Sequence, residues 1–247
     1  MTVRSVGIIG HGDFGRFLEE LARTYVPDRE VRIFSRRAEP DGARFFTLAQ
    51  ACASDIVIIA SSIREFEETL GKVLPLLRPD SLLVEVNTVK EHPVRLLRER
   101  MAGKRYLATH PMFGPYSFRK QGGSLAGLRI VVTDHSLTDA DYAGTVAFLK
   151  RLGLAVLAMS PEQHDRSLAE TLFLTHYVAQ SVARAGFVRT DIDTLSFGYL
   201  MDAVESVKQD TELFKDVYRF NSYCEEVIAR LEAAEQGTHA LLGRAGA

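Results

Sequence analysis

Near the N-terminus residues 3–9, which read as a buried strand, lead straight into Gly10-His11-Gly12-Asp13-Phe14-Gly15. A G-x-G-x-x-G turn between a strand and a helix restricts the fold more than any other segment of the chain. Gly10 permits the tight bend, Gly12 lets the backbone approach a pyrophosphate, and Gly15 allows close packing of helix on strand. Asp13 and Phe14 carry amides at the helix start, where phosphates are held. Such a turn implies a sheet with a dinucleotide at its edge.

From there strand and helix alternate. Phe17, Leu18 and Leu21 mark one face of a helix over 16–25, which Pro27 ends. Strands are predicted at 31–34, 55–60, 82–86, 106–109, 128–133 and 154–159, with helices at 64–77, 92–101 and 139–152. Residues 55–60 form a near-continuous apolar run of the kind that parallel sheets bury on both faces. The expected fold class is α/β, with a doubly wound parallel (Rossmann) sheet over 1–159. At Ser160 the pattern changes: Ser160-Pro161-Glu162-Gln163 reads as a capping box with proline at the first helical position. Helices are predicted over 160–185, 194–207 and 210–234, followed by a Gly- and Ala-rich tail expected to fray. An all-helical domain of 160–247 is too small to bury three helices well. It is therefore expected to pack on a second subunit as a dimerisation domain.

The end of the second strand selects the nucleotide. An NAD site would place Asp or Glu there for the ribose 2′-hydroxyl. This chain has Ser35-Arg36-Arg37 instead. A hydroxyl and two guanidinium forks suit a 2′-phosphate, so NADP is expected and NAD less favoured. A solvated basic turn is the plain alternative. Ser61, closing the third predicted strand, joins the expected cofactor contacts.

A second stretch, Thr109-His110-Pro111-Met112-Phe113-Gly114-Pro115, puts a histidine at a strand end in a loop stiffened by two prolines. Loops at this edge of a doubly wound sheet are where ligands bind, and an imidazole can act as a base near neutral pH. Two further stretches stand out: Val86-Asn87-Thr88-Val89-Lys90, and Met159 to Asp165 followed by Phe173-Leu174-Thr175-His176. Together these motifs resemble the prephenate/arogenate dehydrogenase family, in particular its plant-like arogenate dehydrogenase branch.

With NADP expected from Ser35-Arg36-Arg37, the resemblance implies an oxidative decarboxylation of arogenate or prephenate to tyrosine or 4-hydroxyphenylpyruvate. It gives His110 the part of general base, sets Thr88 where relatives usually carry serine, and has His176 line the substrate pocket. Read from the residues alone, His110 could be a core histidine, Thr88 a turn residue and His176 a packing residue. The substrate carboxylates require cations, for which Lys90, Arg119, Lys120, Lys208 and Arg219 are candidates, with Gly114 in the same loop as Lys120. Relatives commonly read E-S-G-K after the histidine motif, where this chain has Tyr116-Ser117-Phe118-Arg119-Lys120. Gln209 or Asp210 would face the amino group of arogenate, and the sequence leaves that choice open. His164 reads as a helix cap in preference to a cofactor contact.

Bulk properties exclude other classes. A net charge of −2 gives no pull towards nucleic acid or an anionic membrane, so the expected partner is a small molecule. No apolar run approaches the roughly 20 residues needed to cross a bilayer. Cys52 and Cys224 lie in no metal or redox spacing, and the first strand starts too early to leave room for a signal segment. A cytoplasmic location without a metal is expected. A reductase of the β-hydroxyacid or ketopantoate type would carry a lysine on the first helix of the helical domain, and there is none from 160 to 185. A non-catalytic NADP-binding sensor would have little use for His110, Thr88 and His176 together.

Overall fold

The structure, a computed structural model, describes residues 3–243. The chain divides into two compact units, Met1–Glu162 and Gln163–Ala247.

The first unit is built on a seven-stranded sheet. Its strands are β1 (Ser5–Ile9), β2 (Glu30–Phe34), β3 (Ile56–Ile59), β4 (Leu82–Glu85), β5 (Arg105–Pro111), β6 (Arg129–His135) and β7 (Ala155–Ala158). They lie in the order β2-β1-β3-β4-β5-β6-β7. The helices are α1 (Asp13–Tyr25), α2 (Leu48–Cys52), α3 (Ile63–Val73), α4 (Glu91–Arg100), α5 (Pro115–Lys120) and α6 (Asp139–Arg151). Strand alternation sends Val57 and Ile59 to one face, where they pack with Phe66, Leu70, Val94 and Leu97 of α3 and α4. Ile58 and Ala60 turn to the other face, among Val6, Ile8, Ile33 and Leu18 of α1. Phe66 and Leu70 are fully buried, each stabilising the unit by about 1.5–3 kcal/mol.

This unit departs from the sequence reading at two places. β5 and β6 run antiparallel, so the sheet is not wholly parallel. The segment between Pro111 and Arg129 holds only the short α5 and folds back, whereas a parallel return needs a longer crossover. α2 was not predicted: Thr47 caps it, accepting from the Gln50 amide at 3.2 Å, while Gln50 Oε1 accepts from the Thr47 amide at 2.9 Å. Gly7 makes room for it, since a Cβ there would sit 2.1 Å from the Ala51 carbonyl oxygen.

The second unit is helical. α7 (Pro161–Leu168) runs through a wide π-turn, Ala169–Phe173, into α8 (Leu174–Arg184), followed by α9 (Leu195–Val207), α10 (Thr211–Phe220) and α11 (Cys224–Leu241). The expected uninterrupted helix over 160–185 therefore carries a π segment. Within it the Thr171 hydroxyl donates back to the Ser167 carbonyl at 2.6 Å, a bond that helps open the turn. The expected helix over 210–234 is two helices. Asn221 separates them: its Nδ2 donates to the Asp165 carbonyl at 2.7 Å and its Oδ1 accepts from the Tyr223 amide at 3.0 Å. α11 continues to Leu241 where fraying was expected, and residues 244–247 of that tail lie outside the described residues. No helix among the described residues is long and apolar enough to cross a membrane.

Candidate active site

The glycine turn sits between β1 and α1, where the chain order on either side of β1 reverses. Gly10 has φ 111°, its amide donates to the Phe34 carbonyl at 3.0 Å, and a Cβ there would meet the Ala60 oxygen at 2.8 Å. A Cβ at Gly15 would lie 2.2 Å from the Gly10 oxygen. Gly12 differs from both. Nothing lies within 4 Å of a Cβ built there, and no side chain caps the helix that starts at Asp13. The cradle is thus open above Gly12, with the first-turn amides of Asp13, Phe14 and Gly15 at its floor, as a pyrophosphate requires. Asp13 itself pairs with Arg16. Ser61 follows β3, and its buried Oγ has no hydrogen-bond partner among the described residues.

At the end of β2, Ser35 Oγ accepts from the Arg37 amide at 3.2 Å, and Arg36 and Arg37 are exposed. Arg36 pairs with Glu65 in the first turn of α3, whose other oxygen accepts from Ser62 Oγ at 3.1 Å. That hydrogen bond from Arg36 lowers the Glu65 carboxyl below its usual range. Glu19 of α1 is a second carboxylate that sequence reasoning missed. It binds His11 of the glycine turn at 3.0 Å and Arg44 of the loop after β2 at 2.9 Å. Burial opposes its ionisation, but hydrogen bonds from Arg44, His11 and Arg23 outweigh it and lower the carboxyl to about 2. A lone Glu on a helix gives no sequence signal of this role; the tie appears only once the two loops fold over α1.

His110 is 5% exposed and lies within β5, paired with Val131 of β6 just beyond a bulge at Ala108/Thr109. The extra residue of this bulge is Thr133 on β6, the strand facing the histidine. Pro111 is tolerated in the strand because the β4 ladder has already stopped at Glu85 opposite Ala108. Phe113 meets Phe17 of α1 edge-on at 6.1 Å, and Phe118 of α5 does so at 5.3 Å. These contacts tie the His110 segment to the helix that opens on the glycine turn. Thr88 is half-buried in the loop after β4, and Gly114 precedes α5. Lys120 is exposed, its Nζ 5.8 Å over the Tyr116 ring, while Arg119 reaches Glu20 at 3.9 Å. Lys90 is not available as a substrate cation: it is fully buried and ion-paired with Glu85.

In the second unit His176 of α8 is 4% exposed and stacks on Phe214 of α10 at 6.2 Å. Burial drives its pKa down to about 4, so the ring is neutral, and its buried Nδ1 has no partner among the described residues. Gln209 and Asp210 are exposed at the start of α10, with the Asp210 carbonyl accepting from the Phe214 amide at 2.9 Å. Arg219 is exposed near the end of α10, over the Phe220 ring, and Lys208 is exposed after α9. His164 is no surface cap. It is buried, its Nδ1 2.7 Å from Asp165 Oδ1.

Residues 40–156 match the family described as prephenate dehydrogenase, nucleotide-binding domain. Two plant relatives from Arabidopsis thaliana are similar across nearly the whole chain. Arogenate dehydrogenase 1, chloroplastic, is 30% identical over 93% of this chain and 38% of its own length. Arogenate dehydrogenase 2, chloroplastic, is 29% identical over 97% and 70%. The chain thus spans well under half of the first relative. Among solved structures, a prephenate dehydrogenase from A. aeolicus, in complex with hydroxyphenyl propionate and NAD+, shares the fold with a TM-score of 0.75 at 21% identity. It is matched over 99% of this chain and 92% of its own. Taken together, these likenesses make the chain similar to prephenate and arogenate dehydrogenases.

Proposed function

We propose that the protein is an NADP-dependent dehydrogenase that oxidatively decarboxylates arogenate or prephenate, with His110 as general base. The observation that carries this reading is the docking of the His110 segment, through Phe113 and Phe118, on Phe17 of the helix that opens on the glycine cradle. Bound in that cradle, NADP supplies a hydride acceptor. The chain's own groups do the rest. Gly12 and the amides of Asp13, Phe14 and Gly15 would hold the pyrophosphate, Ser61 Oγ offers an unused polar group beside it, and Ser35, Arg36 and Arg37 would take the 2′-phosphate. His110 takes the proton of the ring hydroxyl as hydride leaves the same carbon. The ring carboxylate then departs as carbon dioxide, its bonding electrons enter the ring, and the new phenol oxygen regains a proton. Thr88 supplies a hydroxyl in the loop of the neighbouring strand. In the second unit, neutral His176 would offer the substrate a hydrogen bond and not a charge, with Gln209, Asp210 and Arg219 on α10, and Gly114 and Lys120 at α5, as further substrate contacts.

Replacing His110 by Asn should lower kcat by about 10²–10⁴-fold while NADP binding persists; near-normal turnover would remove His110 from the mechanism. The absence of an acidic side chain at the end of β2 favours NADP. Arg36→Ala should weaken NADP by about tenfold or more and leave NAD nearly unchanged, and equal losses would argue against the assignment. A homodimer is part of the same proposal. Phe187, Val188, Ile192, Leu195 and Tyr199, in the loop before α9 and in α9 itself, are all more than half exposed, an apolar surface suited to a second copy. A cytoplasmic location is supported by Cys52 and Cys224, which are free and buried.

A further inference from the structure

We propose that the buried Glu85–Lys90 ion pair is a positioning device that holds the Thr88 loop and the His110 strand end in register; it rests on the reading of His110 as base.

Both side chains are 0% exposed, and the rest of β4 is Leu82, Leu83 and Val84. The β4–β5 ladder ends at Glu85 opposite Ala108, and between Ala108 and Thr109 the β5–β6 register shifts past Thr133 of β6. Beyond that point no ladder bond sets the spacing between the loop after β4 and His110. Side chains take over. Thr109 Oγ1 donates to the Glu85 carbonyl at 2.9 Å. Lys90 Nζ donates to the Thr109 carbonyl at 2.6 Å, one residue before His110, and to the Glu85 carboxylate. The other Glu85 oxygen accepts from the Asn87 amide at 2.5 Å. The loop from Glu85 to Lys90 is therefore closed at its base by the ion pair, with Thr88 near its apex, and pinned to the strand that carries His110.

Burying two charges is costly, and an apolar pair would serve packing alone as well or better. An ammonium does what no apolar side chain can: it bridges a carboxylate and a backbone carbonyl on separate strands with fixed geometry. Burial pushes the Glu85 carboxyl up, while the Lys90 ammonium and the Asn87 amide pull it down. Removing either partner alone would leave the other uncompensated, so single variants confound folding with positioning.

The test is the neutral pair Glu85→Gln/Lys90→Met, compared with each single variant and with Thr109→Val, which deletes only the hydroxyl arm. The double variant should be more stable than either single and should bind NADP within about threefold of wild type, yet lose about 10–100-fold in kcat. Thr109→Val should lose about three- to tenfold in kcat with its melting temperature nearly kept. A second readout needs no substrate: the titration of the His110 ring, followed by NMR in histidine-labelled protein, should shift in the double variant and in Thr109→Val. Wild-type kcat and an unshifted His110 titration in either soluble variant would overturn the proposal. If wild type oxidises neither acid, the functional reading fails, and the His110 titration still decides whether the pair positions that histidine.

Discussion

Gly12 and Gly15 stand three residues apart, and different demands exclude side chains from each. At Gly15 the protein itself refuses a Cβ, which would press on the Gly10 oxygen; Gly15→Ala should cost about 1–3 kcal/mol by overpacking, read from the denaturant midpoint. At Gly12 the protein leaves open space. Gly12→Val should keep its melting temperature yet weaken NADP by about tenfold or more, and retained affinity would mean the pyrophosphate does not lie there. At Arg36 the neighbouring Glu65 competes for the guanidinium, so Glu65→Gln should tighten NADP by about two- to fivefold, checked by titration against NAD as control. His176 carries the pH prediction. Its ring is held at about 4 when folded against the ordinary 6.5, so the unfolded chain takes up a proton first as pH falls. The stability this gives is complete above pH 6.5 and drains away towards pH 4, by about 3 kcal/mol in all. His176→Leu should flatten the fall in urea midpoint across that window, and an unchanged slope would show that the ring is not held neutral.

At the scale of elements, the sequence disclosed what local pattern controls. The glycine turn, the strand carrying His110 and the Ser35-Arg36-Arg37 corner each announce themselves within a few residues, because turn chemistry and strand alternation are local. What escaped depends on partners far along the chain. The reversal of β6 follows from α5 folding back, and the break between α10 and α11 from Asn221 reaching Asp165. α2 is short enough that only its capping box and the vacancy at Gly7 betray it. Lys90 read as a candidate substrate cation because a lysine near a loop is ordinarily solvated; only the fold turns it inward to Glu85. The aromatic joint of Phe17 with Phe113 and Phe118 belongs to this scale too. Phe17→Ala should cost about 3–5 kcal/mol in stability and loosen the His110 segment, seen as faster amide exchange from Met112 to Phe118.

At the scale of the whole molecule, the helical unit leaves Ile192 89% and Leu195 74% exposed. If that surface joins two copies, Ile192→Asp with Leu195→Asp should convert a dimer into a monomer in sedimentation velocity, whereas a wild-type monomer would end the dimer proposal. The likeness to prephenate and arogenate dehydrogenases sets the chemistry to be tried, and the first unit holds an open glycine cradle and a buried histidine. The direct test is initial-rate NADPH or NADH formation by the purified protein with arogenate and with prephenate, each against NADP and NAD. Turnover with at least one acid, faster with NADP than with NAD and lowered about 10²–10⁴-fold by His110→Asn, is the predicted result. NADP binding without turnover of either acid would contradict it.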